Sequence, residues 1–352
     1  MTVKWVAGNR IEGTSADRTT GTPAIPVVSG GWKEIGRTSV TSGDSIDVTS
    51  LADKRYLMVL GCGIGSGNVA LISRFNSDTG NNYNNRYNSN GGSDATSGAN
   101  DRLFTNGSGS SPQEFSVFYV ANKSDQGKLL VGHNVNNATA GAGTAPQRRE
   151  YASKWVNTSS AISSLNVFNS DTGDFASGSE VVVLGYDPDD THTDNFWEEL
   201  ADVSLSSSAT SIDTTAFTAK KYLWIQYHTT QQSATANGLL QVGNSTIDTG
   251  SNYSWRRSID GGTDGTFTGQ SSIAVSPNQE NFANVFVINN ASQEKLFIAH
   301  SVEAPTAGAG TAPERTEVVG KWANTSNQIN RIQLGSSGTF ASGSFIKVWG
   351  AN

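Results

Sequence analysis

Charged residues alternate in two short segments, and they are the strongest candidates for polar contacts. Each segment has an arginine, a glutamate two positions later and a lysine four positions after that, which puts all three side chains on one face of a strand. These residues are Arg148, Glu150, Lys154, Arg315, Glu317 and Lys321. The pattern favours a solvated sheet face held by weak cross-strand ion pairs, and a contact between subunits is the alternative.

Two aspartates begin tight turns. Asp78 starts "DTGNNY" and Asp248 starts "DTGSNY", where a carboxylate can accept hydrogen bonds from backbone amides two residues on. A calcium site at either aspartate is the alternative, although few acidic ligands are present nearby for so hard a cation. The acidic stretch "DPDDTHTD" from Asp187 matches no EF-hand spacing. The sequence therefore predicts no metal and no cofactor.

Catalytic chemistry has little support. The histidines, which are His133, His192, His228 and His300, form no zinc-binding motif, and a G-x-S-x-G segment is absent. The single cysteine, Cys62, ends an apolar run without a basic partner nearby. Carboxylates that meet only in space leave a polysaccharide-degrading enzyme open as a third interpretation. We predict a protein that is not an enzyme.

Aromatic residues surrounded by Asn, Ser and Gly could stack on sugar rings. Tyr83 and Trp255 are the candidate glycan-stacking positions on this argument. Rings at alternating strand positions also fill sandwich cores, and this second interpretation is the favoured one. A module that binds a carbohydrate or a receptor therefore remains an alternative function.

Composition bears on other partners. The chain has 352 residues, a formal net charge of −7 and only 16% charged residues, without a basic stretch that could follow a phosphate backbone. Its longest apolar runs are far shorter than the roughly 18 residues that a membrane span needs. The first residues, "MTVKWVAGNRIEG", lack the apolar core of a signal peptide. We expect neither nucleic acid binding nor membrane insertion.

The chain contains an internal repeat. The phrase "TAGAGTAP" occurs at Thr139 and again at Thr306, an offset of 306 − 139 = 167 residues. Other matched phrases, including "SIDVTS" with "SIDTTA" and "GDFASGSE" with "GTFASGSF", extend the repeat through most of the chain. We infer a first repeat at 32–186, a linker at 187–196 and a second repeat at 197–352, preceded by an extended N-terminal arm at 1–31.

Apolar and β-branched runs recur at short intervals between clusters of Gly, Asn, Ser and Asp, which is typical of an all-β fold. In the first repeat the predicted strands are Lys33 to Val40, Tyr56 to Cys62, Val69 to Phe75, Tyr83 to Asn88, Phe115 to Ala121, Lys128 to Val135, Arg148 to Trp155, Ile162 to Phe168 and Glu180 to Tyr186. We predict two tandem jelly-roll-like antiparallel β-sandwich domains related by internal duplication.

Several phrases give the sequence a family resemblance. They are "GWKEIGRTSV", "DKRYLMVL", "DTGNNY", "TAGAGTAP" with "KWVNTS", and the final "GTFASGSFIKVWGAN". With these phrases the chain resembles virion structural proteins of marine viruses, chiefly tailed phages. The resemblance implies a capsid, decoration, spike or tail component located in the virion, and it carries no catalytic residue.

The leading hypothesis is thus a non-enzymatic virion structural protein that assembles into a symmetric homo-oligomer, a trimer or larger, beside other virion proteins. The arm at 1–31 is expected to add edge contacts to a neighbour. The rival hypotheses are a carbohydrate- or receptor-binding module on a fibre or cell surface and, third, a polysaccharide-degrading enzyme.

Overall fold

The computed structural model describes residues 4–6, 10–12, 31–107, 111–190, 192, 194–230, 238–276 and 280–352. These residues form antiparallel β-sheets joined by turns and contain no helix, so the prediction of an all-β fold is confirmed. A search of the same residues for a helix that could cross a bilayer finds none. Of the predicted N-terminal arm, only two short strands, β1 (Lys4–Val6) and β2 (Arg10–Glu12), are described, and they pair with each other.

The first repeat forms one large and one small sheet. Its strands are β3 (Lys33–Val40), β4 (Ser45–Val48), β5 (Tyr56–Val69), β6 (Leu71–Phe75), β7 (Tyr83–Ser89), β8 (Ala95–Asn100), β9 (Ser111–Ala121), β10 (Lys128–Asn136), β11 (Gln147–Trp155), β12 (Leu165–Asn169) and β13 (Ser179–Tyr186). The large sheet has eight strands in the order β3-β13-β5-β9-β10-β11-β7-β8, and the small one has three in the order β4-β12-β6.

The second repeat follows the same plan. Its strands are β14 (Glu198–Ser204), β15 (Ala209–Asp213), β16 (Tyr222–Thr229), β17 (Gly238–Asn244), β18 (Thr246–Ile247), β19 (Tyr253–Ile259), β20 (Gly265–Gln270), β21 (Ile273–Ser276), β22 (Glu280–Ile288), β23 (Lys295–Ala304), β24 (Glu314–Trp322), β25 (Arg331–Phe340) and β26 (Phe345–Ala351). Its large sheet runs β14-β26-β16-β22-β23-β24-β19-β20, which is the order of the first large sheet strand for strand.

Each repeat encloses a core between its two sheets, because alternate residues of each strand point inward. In the first repeat, Leu57, Val59, Val181 and Val183 enter this core together with Trp155. In the second repeat the core contains the matching residues of β16, β26 and β24. Across the described residues, sheet pairing stays within each repeat.

A third apolar cluster joins the repeats. It is built from the outer faces of the two large sheets, with Met58, Leu60 and Val182 on one side and Ile288 and Leu296 on the other. The large sheets therefore pack face to face, with the small sheets outside them. This burial shows in β13, where nearly every residue is buried, whereas the matching strand β26 alternates between buried and partly exposed residues.

Candidate functional site: the contact between the two repeats

The contact between the repeats is closed on one side by apolar residues and an acidic anchor. Phe115 of the first repeat packs against Tyr222 of the second, with ring centroids 6.4 Å apart. The Tyr222 hydroxyl donates a hydrogen bond of 2.9 Å to buried Glu180. Burial alone would raise the pKa of Glu180, but the Ser39 hydroxyl and the charges of Lys221 and Arg37 outweigh it and lower that pKa. Glu180 thus stays charged and links the two sheets.

The first copy of the duplicated phrase is the main polar connection. We call residues 139–146 the docked loop, because its backbone carbonyls accept hydrogen bonds from the second repeat. Ser254 donates to the Thr144 carbonyl over 3.0 Å, and the Arg256 guanidinium donates to that of Pro146 over 3.0 Å. The Gly269 amide also donates to the loop, at the Ala142 carbonyl. The loop therefore binds through main-chain atoms, so its small side chains are sufficient for this contact.

Lys321 anchors the start of this loop. Its ammonium donates to the carbonyls of Asn137, over 3.0 Å, and of Thr139. Glu294 lies 3.8 Å from the same ammonium and accepts from the Gly141 amide. Burial lowers the pKa of Lys321, and Glu294 opposes that shift. A buried lysine is retained here because several acceptors converge on it.

Arg148 forms a second buried polar connection. Its guanidinium donates to Asp264 over 2.8 Å and to Glu317 over 2.9 Å, both in the other repeat, and it also contacts Glu150. The prediction of a solvated charge ladder is wrong for Arg148, Glu317 and Lys321, which are buried. Sequence alternation showed that the charges share a face, but it could not show that the second repeat covers that face.

The remaining members of the ladder lie at the surface. Lys154 and Arg315 are exposed, and Glu150 is partly buried. Among the ion pairs of the described residues, Arg315 forms one, with Glu317 of the same strand. Its Nε lies 3.3 Å from that carboxylate. Equivalent positions of the repeat thus have opposite environments, since Arg148 is buried where Arg315 is exposed and Lys321 is buried where Lys154 is exposed.

The centre of the contact is nearly symmetric. His133 and His300 are equivalent positions of the repeat, and their rings meet with centroids 4.0 Å apart. Burial, then the neighbouring His300 and Arg148, hold the pKa of His133 well below its usual range. Burial likewise lowers the pKa of His300 to about 4. Both rings are therefore neutral near pH 7.

Away from this centre, the contact is open on one side. We define the open side by its exposed apolar residues Tyr56, Leu129, Val131, Phe282 and Val302. These side chains are between 41% and 62% exposed, whereas their counterparts in the other repeat are at most 2% exposed. The counterparts are Tyr222, Leu296, Ile298, Phe115 and Val135. At each of these five matched positions, the residue of one repeat is buried and the residue of the other repeat is exposed.

An aromatic cleft of about 410 Å³ lies beside the open side. Its rings belong to Trp32, Tyr186, Trp197, Trp224 and Trp349. The Trp224 and Trp349 rings lie 5.1 Å apart and those of Trp32 and Tyr186 lie 5.8 Å apart. The buried indole nitrogen of Trp197 has no hydrogen-bond partner within the described part of the chain. Sequence analysis missed this cleft because its rings come from five separate segments.

The rings that sequence analysis proposed for glycan stacking are in the cores. Tyr83 is fully buried, and its hydroxyl bonds the backbone of Phe75. Trp255 is 4% exposed and stacks on Phe267 with centroids 3.7 Å apart. Neither ring offers a face to a sugar, so this prediction is wrong for both positions, and the favoured alternative of core packing holds.

The aspartates of the two turns brace tryptophans. Asp78 accepts from the Trp155 indole nitrogen over 2.7 Å, and Asp248 accepts from that of Trp322 over 2.8 Å. Both carboxylates also accept from the amide two residues on, as the turn pattern predicted. Their oxygens are thus engaged by the protein, and no cluster of three or more potential metal ligands occurs in the described ranges.

A groove of about 420 Å³ on the second repeat has an acidic lining that includes Glu198, Glu199 and Asp202. Two of these carboxylates are paired with lysines, since Glu198 lies 2.8 Å from Lys220 and Asp202 lies 2.7 Å from Lys347. Glycoside hydrolysis needs one carboxylic acid with a raised pKa beside a second carboxylate. Both of these carboxylates already have an ion-pair partner within the protein.

Comparisons with known proteins give no family. No family model matches the chain, and no curated protein matches it. Among solved structures, the Ail attachment invasion locus protein of Yersinia pestis, crystallised with the heparin analogue sucrose octasulfate, is 8% identical with a TM-score of 0.13, covering 80% of this chain and 99% of its own. OccAB4 of Acinetobacter baumannii is 10% identical with a TM-score of 0.12, covering 88% and 98%. At these scores the likenesses carry no argument about fold or function.

Proposed function

We propose that the protein is a non-enzymatic structural protein of a virus particle that assembles with copies of itself. In this proposal the two repeats are jelly-roll-like sandwiches that arose by duplication and form one rigid unit. The family resemblance of the sequence motivates the virion location, and the capsid, decoration, spike and tail roles all remain within it. The assembly is a trimer or a larger symmetric oligomer that also contacts other virion proteins.

One observation carries this proposal. The open side exposes apolar residues, among them Leu129, Val131 and Phe282, whose counterparts in the other repeat are buried against a sheet. Tyr56, Leu129 and Val131 line one apolar groove, and exposed apolar patches mark protein contacts more often than free surface. The positions are therefore built for contact, and in the single chain they lack it.

Light scattering on the purified protein, followed by imaging, tests the proposal. We expect a closed oligomer or a lattice, and Leu129→Lys with Val131→Lys should reduce the mass to that of one chain. Thr49→Lys is the control, because Thr49 is exposed beside the small sheet, away from the open side. A wild-type protein that stays monomeric at high concentration would contradict the proposal.

The aromatic cleft supports a second candidate function, the binding of a carbohydrate. Tryptophan rings such as those of Trp224 and Trp349 offer apolar faces to sugar rings. A glycan array with the wild type and Trp349→Ala would test it, with Phe282→Ala as an exposed aromatic control outside the cleft. Binding that survives Trp349→Ala would exclude this site.

A further inference from the structure

The contact made by the docked loop has a counterpart in the other repeat that does not form within the single chain. Its binding rests on backbone carbonyls at Thr139, Thr144 and Pro146, together with that of Asn137 just before the loop. The second copy of the phrase, residues 306–313, has the same sequence and therefore offers the same backbone carbonyls, although Pro305 stands before it where Ala138, at φ 55°, stands before the docked loop. We call it the free loop, because all of its residues are exposed. Pro146 is buried in the docked loop, whereas Pro313 is exposed in the free loop.

The matching donors are present on the first repeat. Lys154, Asn84 and Arg86 lie on β11 and β7 at the positions that Lys321, Ser254 and Arg256 occupy in the second repeat. Lys154 and Arg86 are exposed and Asn84 is partly buried. We call these three residues the vacant face. It presents an ammonium, an amide and a guanidinium in the arrangement that holds the docked loop.

Charge complementarity extends the match. In the closed contact, Arg148 at the end of the docked loop pairs with Asp264 and Glu317. The counterparts are Arg315 next to the free loop, with Asp94 and Glu150 beside the vacant face. The side chains of Arg315 and Asp94 are 59% and 56% exposed, so both are accessible to a partner.

The two surfaces are kept apart within one chain by aromatic residues. Trp32 packs on Tyr119 of the first repeat at 6.2 Å, and its counterpart Trp197 packs on Phe286 of the second repeat at 6.2 Å. The backbone of Phe196, beside Trp197, donates to that of Trp32 over 2.8 Å. The segment at Trp32 and the segment at Phe196 and Trp197 therefore lie between the large sheets. The free loop therefore needs a vacant face from elsewhere.

We propose that the free loop of one copy docks on the vacant face of the first repeat of a second copy. The contact rests on the proposed function and identifies its surface and its partner. Each chain would contribute one loop and one face, so the interface is heterologous and generates a ring or a filament. Gly127 replaces Glu294 at the matching position, so this contact lacks one carboxylate and is weaker than the internal one.

Disulfide trapping between separately prepared variants tests the proposal. One preparation carries Thr311→Cys and the other carries Asn84→Cys, the counterparts of the bonded pair Thr144 and Ser254. We expect a reducible species of twice the chain mass only after mixing. Thr144→Cys with Ser254→Cys in one chain is the positive control and should form an intrachain disulfide. Thr49→Cys, exposed beside the small sheet, replaces Asn84→Cys as the negative control.

A charge variant gives a second readout. Lys154→Glu should weaken self-association at least tenfold in light scattering, while Thr49→Glu, at an exposed position beside the small sheet, should leave it unchanged. Wild-type assembly without a mixed disulfide and without an effect of Lys154→Glu would overturn the docking and leave the proposed function standing. A wild type that is always monomeric would overturn both. An intrachain disulfide in dilute protein carrying both cysteines would show that the chain closes on itself and would also overturn it.

Discussion

The rings of His133 and His300 meet at equivalent positions of the two repeats, with centroids 4.0 Å apart and planes tilted by 55°, and both are held neutral by burial. This relationship places the local symmetry axis of the contact between the two rings. It also makes the contact sensitive to acid. Protonation would put two positive charges side by side, close to Arg148 and Arg315, with only Glu317 favouring the charged form of His300.

We predict that acid weakens the protein through this pair. The folded pKa of His300 is about 4, below the usual value of 6.5, so the unfolded state binds more protons between these two values. The stabilising contribution is present above about pH 6.5 and is lost as the pH falls towards 4. The rings are partly exposed, so we expect a loss on the order of 2 kcal/mol in the free energy of unfolding.

Urea unfolding at pH 7 and pH 4.5 measures this loss. Replacing both histidines by phenylalanine should remove it. Glu114 must be allowed for, because burial raises its pKa to about 7 and its contribution declines instead as the pH rises from about 4.5 through 7. The difference between wild type and variant cancels that background. Parallel pH profiles would refute the assignment to the histidines.

Arg148→Ala should strongly destabilise the protein, whereas Arg315→Ala should not. Removal of Arg148 takes the closest cation from the buried side chains of Asp264 and Glu317, at a cost of about 3 kcal/mol, because only the more distant Arg256 and Arg315 remain beside them. Arg315 is the same residue of the repeat, but its side chain is 59% exposed, so its removal should cost less than about 0.5 kcal/mol. Chemical denaturation of both variants provides the comparison. Equal losses would show that the burial of Arg148 between the repeats adds nothing to its contribution.

Asp78→Ala should destabilise the first repeat by about 1–3 kcal/mol, because the Trp155 indole would lose its acceptor in a buried position. Added calcium should leave the melting temperature of the wild type unchanged, since both carboxylate oxygens already accept hydrogen bonds. Thermal melts with calcium or with a chelator measure both effects. A melting temperature that rises with calcium would restore the metal-site alternative.

Cys62 should be inert in the native protein. Burial raises the pKa of its thiol to about 11, and its sulfur accepts a hydrogen bond from Asn290 in the other repeat over 3.4 Å. A thiol reagent at pH 8 should therefore react only after denaturant is added. Rapid labelling of native protein would mean that the two repeats separate in solution.

Much of the fold follows from residue pattern. The apolar alternation of β10 and β11 predicted strands close to the observed ones, as at Lys128–Asn136 and Gln147–Trp155. Sequence analysis missed β4, which is only four residues long, and β8, whose "ATSGAN" is polar and lies at a sheet edge. Such segments are strands because a neighbour pairs with them, which local composition does not record.

The contact between the repeats was not predicted, although a signal existed. The run "SEVVVLGY" of β13 is apolar at successive positions, which is typical of a strand buried on both faces, whereas "FIKVWGA" of β26 is interrupted by Lys347. That contrast separates a covered sheet from an open one. The partners of Arg148 and the aromatic cleft could not be found this way, because their residues meet only after the repeats have packed together.

The two halves of the chain are no longer interchangeable. Five matched positions on their large sheets differ in kind: Met58, Leu60, Cys62, Val182 and Leu184 in one, and Trp224, Gln226, His228, Lys347 and Trp349 in the other. A chain made of two first halves would leave the apolar outer face of one large sheet exposed to solvent, and we expect it to aggregate. A chain made of two second halves would have to bury a lysine and a histidine. Each half therefore needs the other half, and not a second copy of itself, as its packing partner.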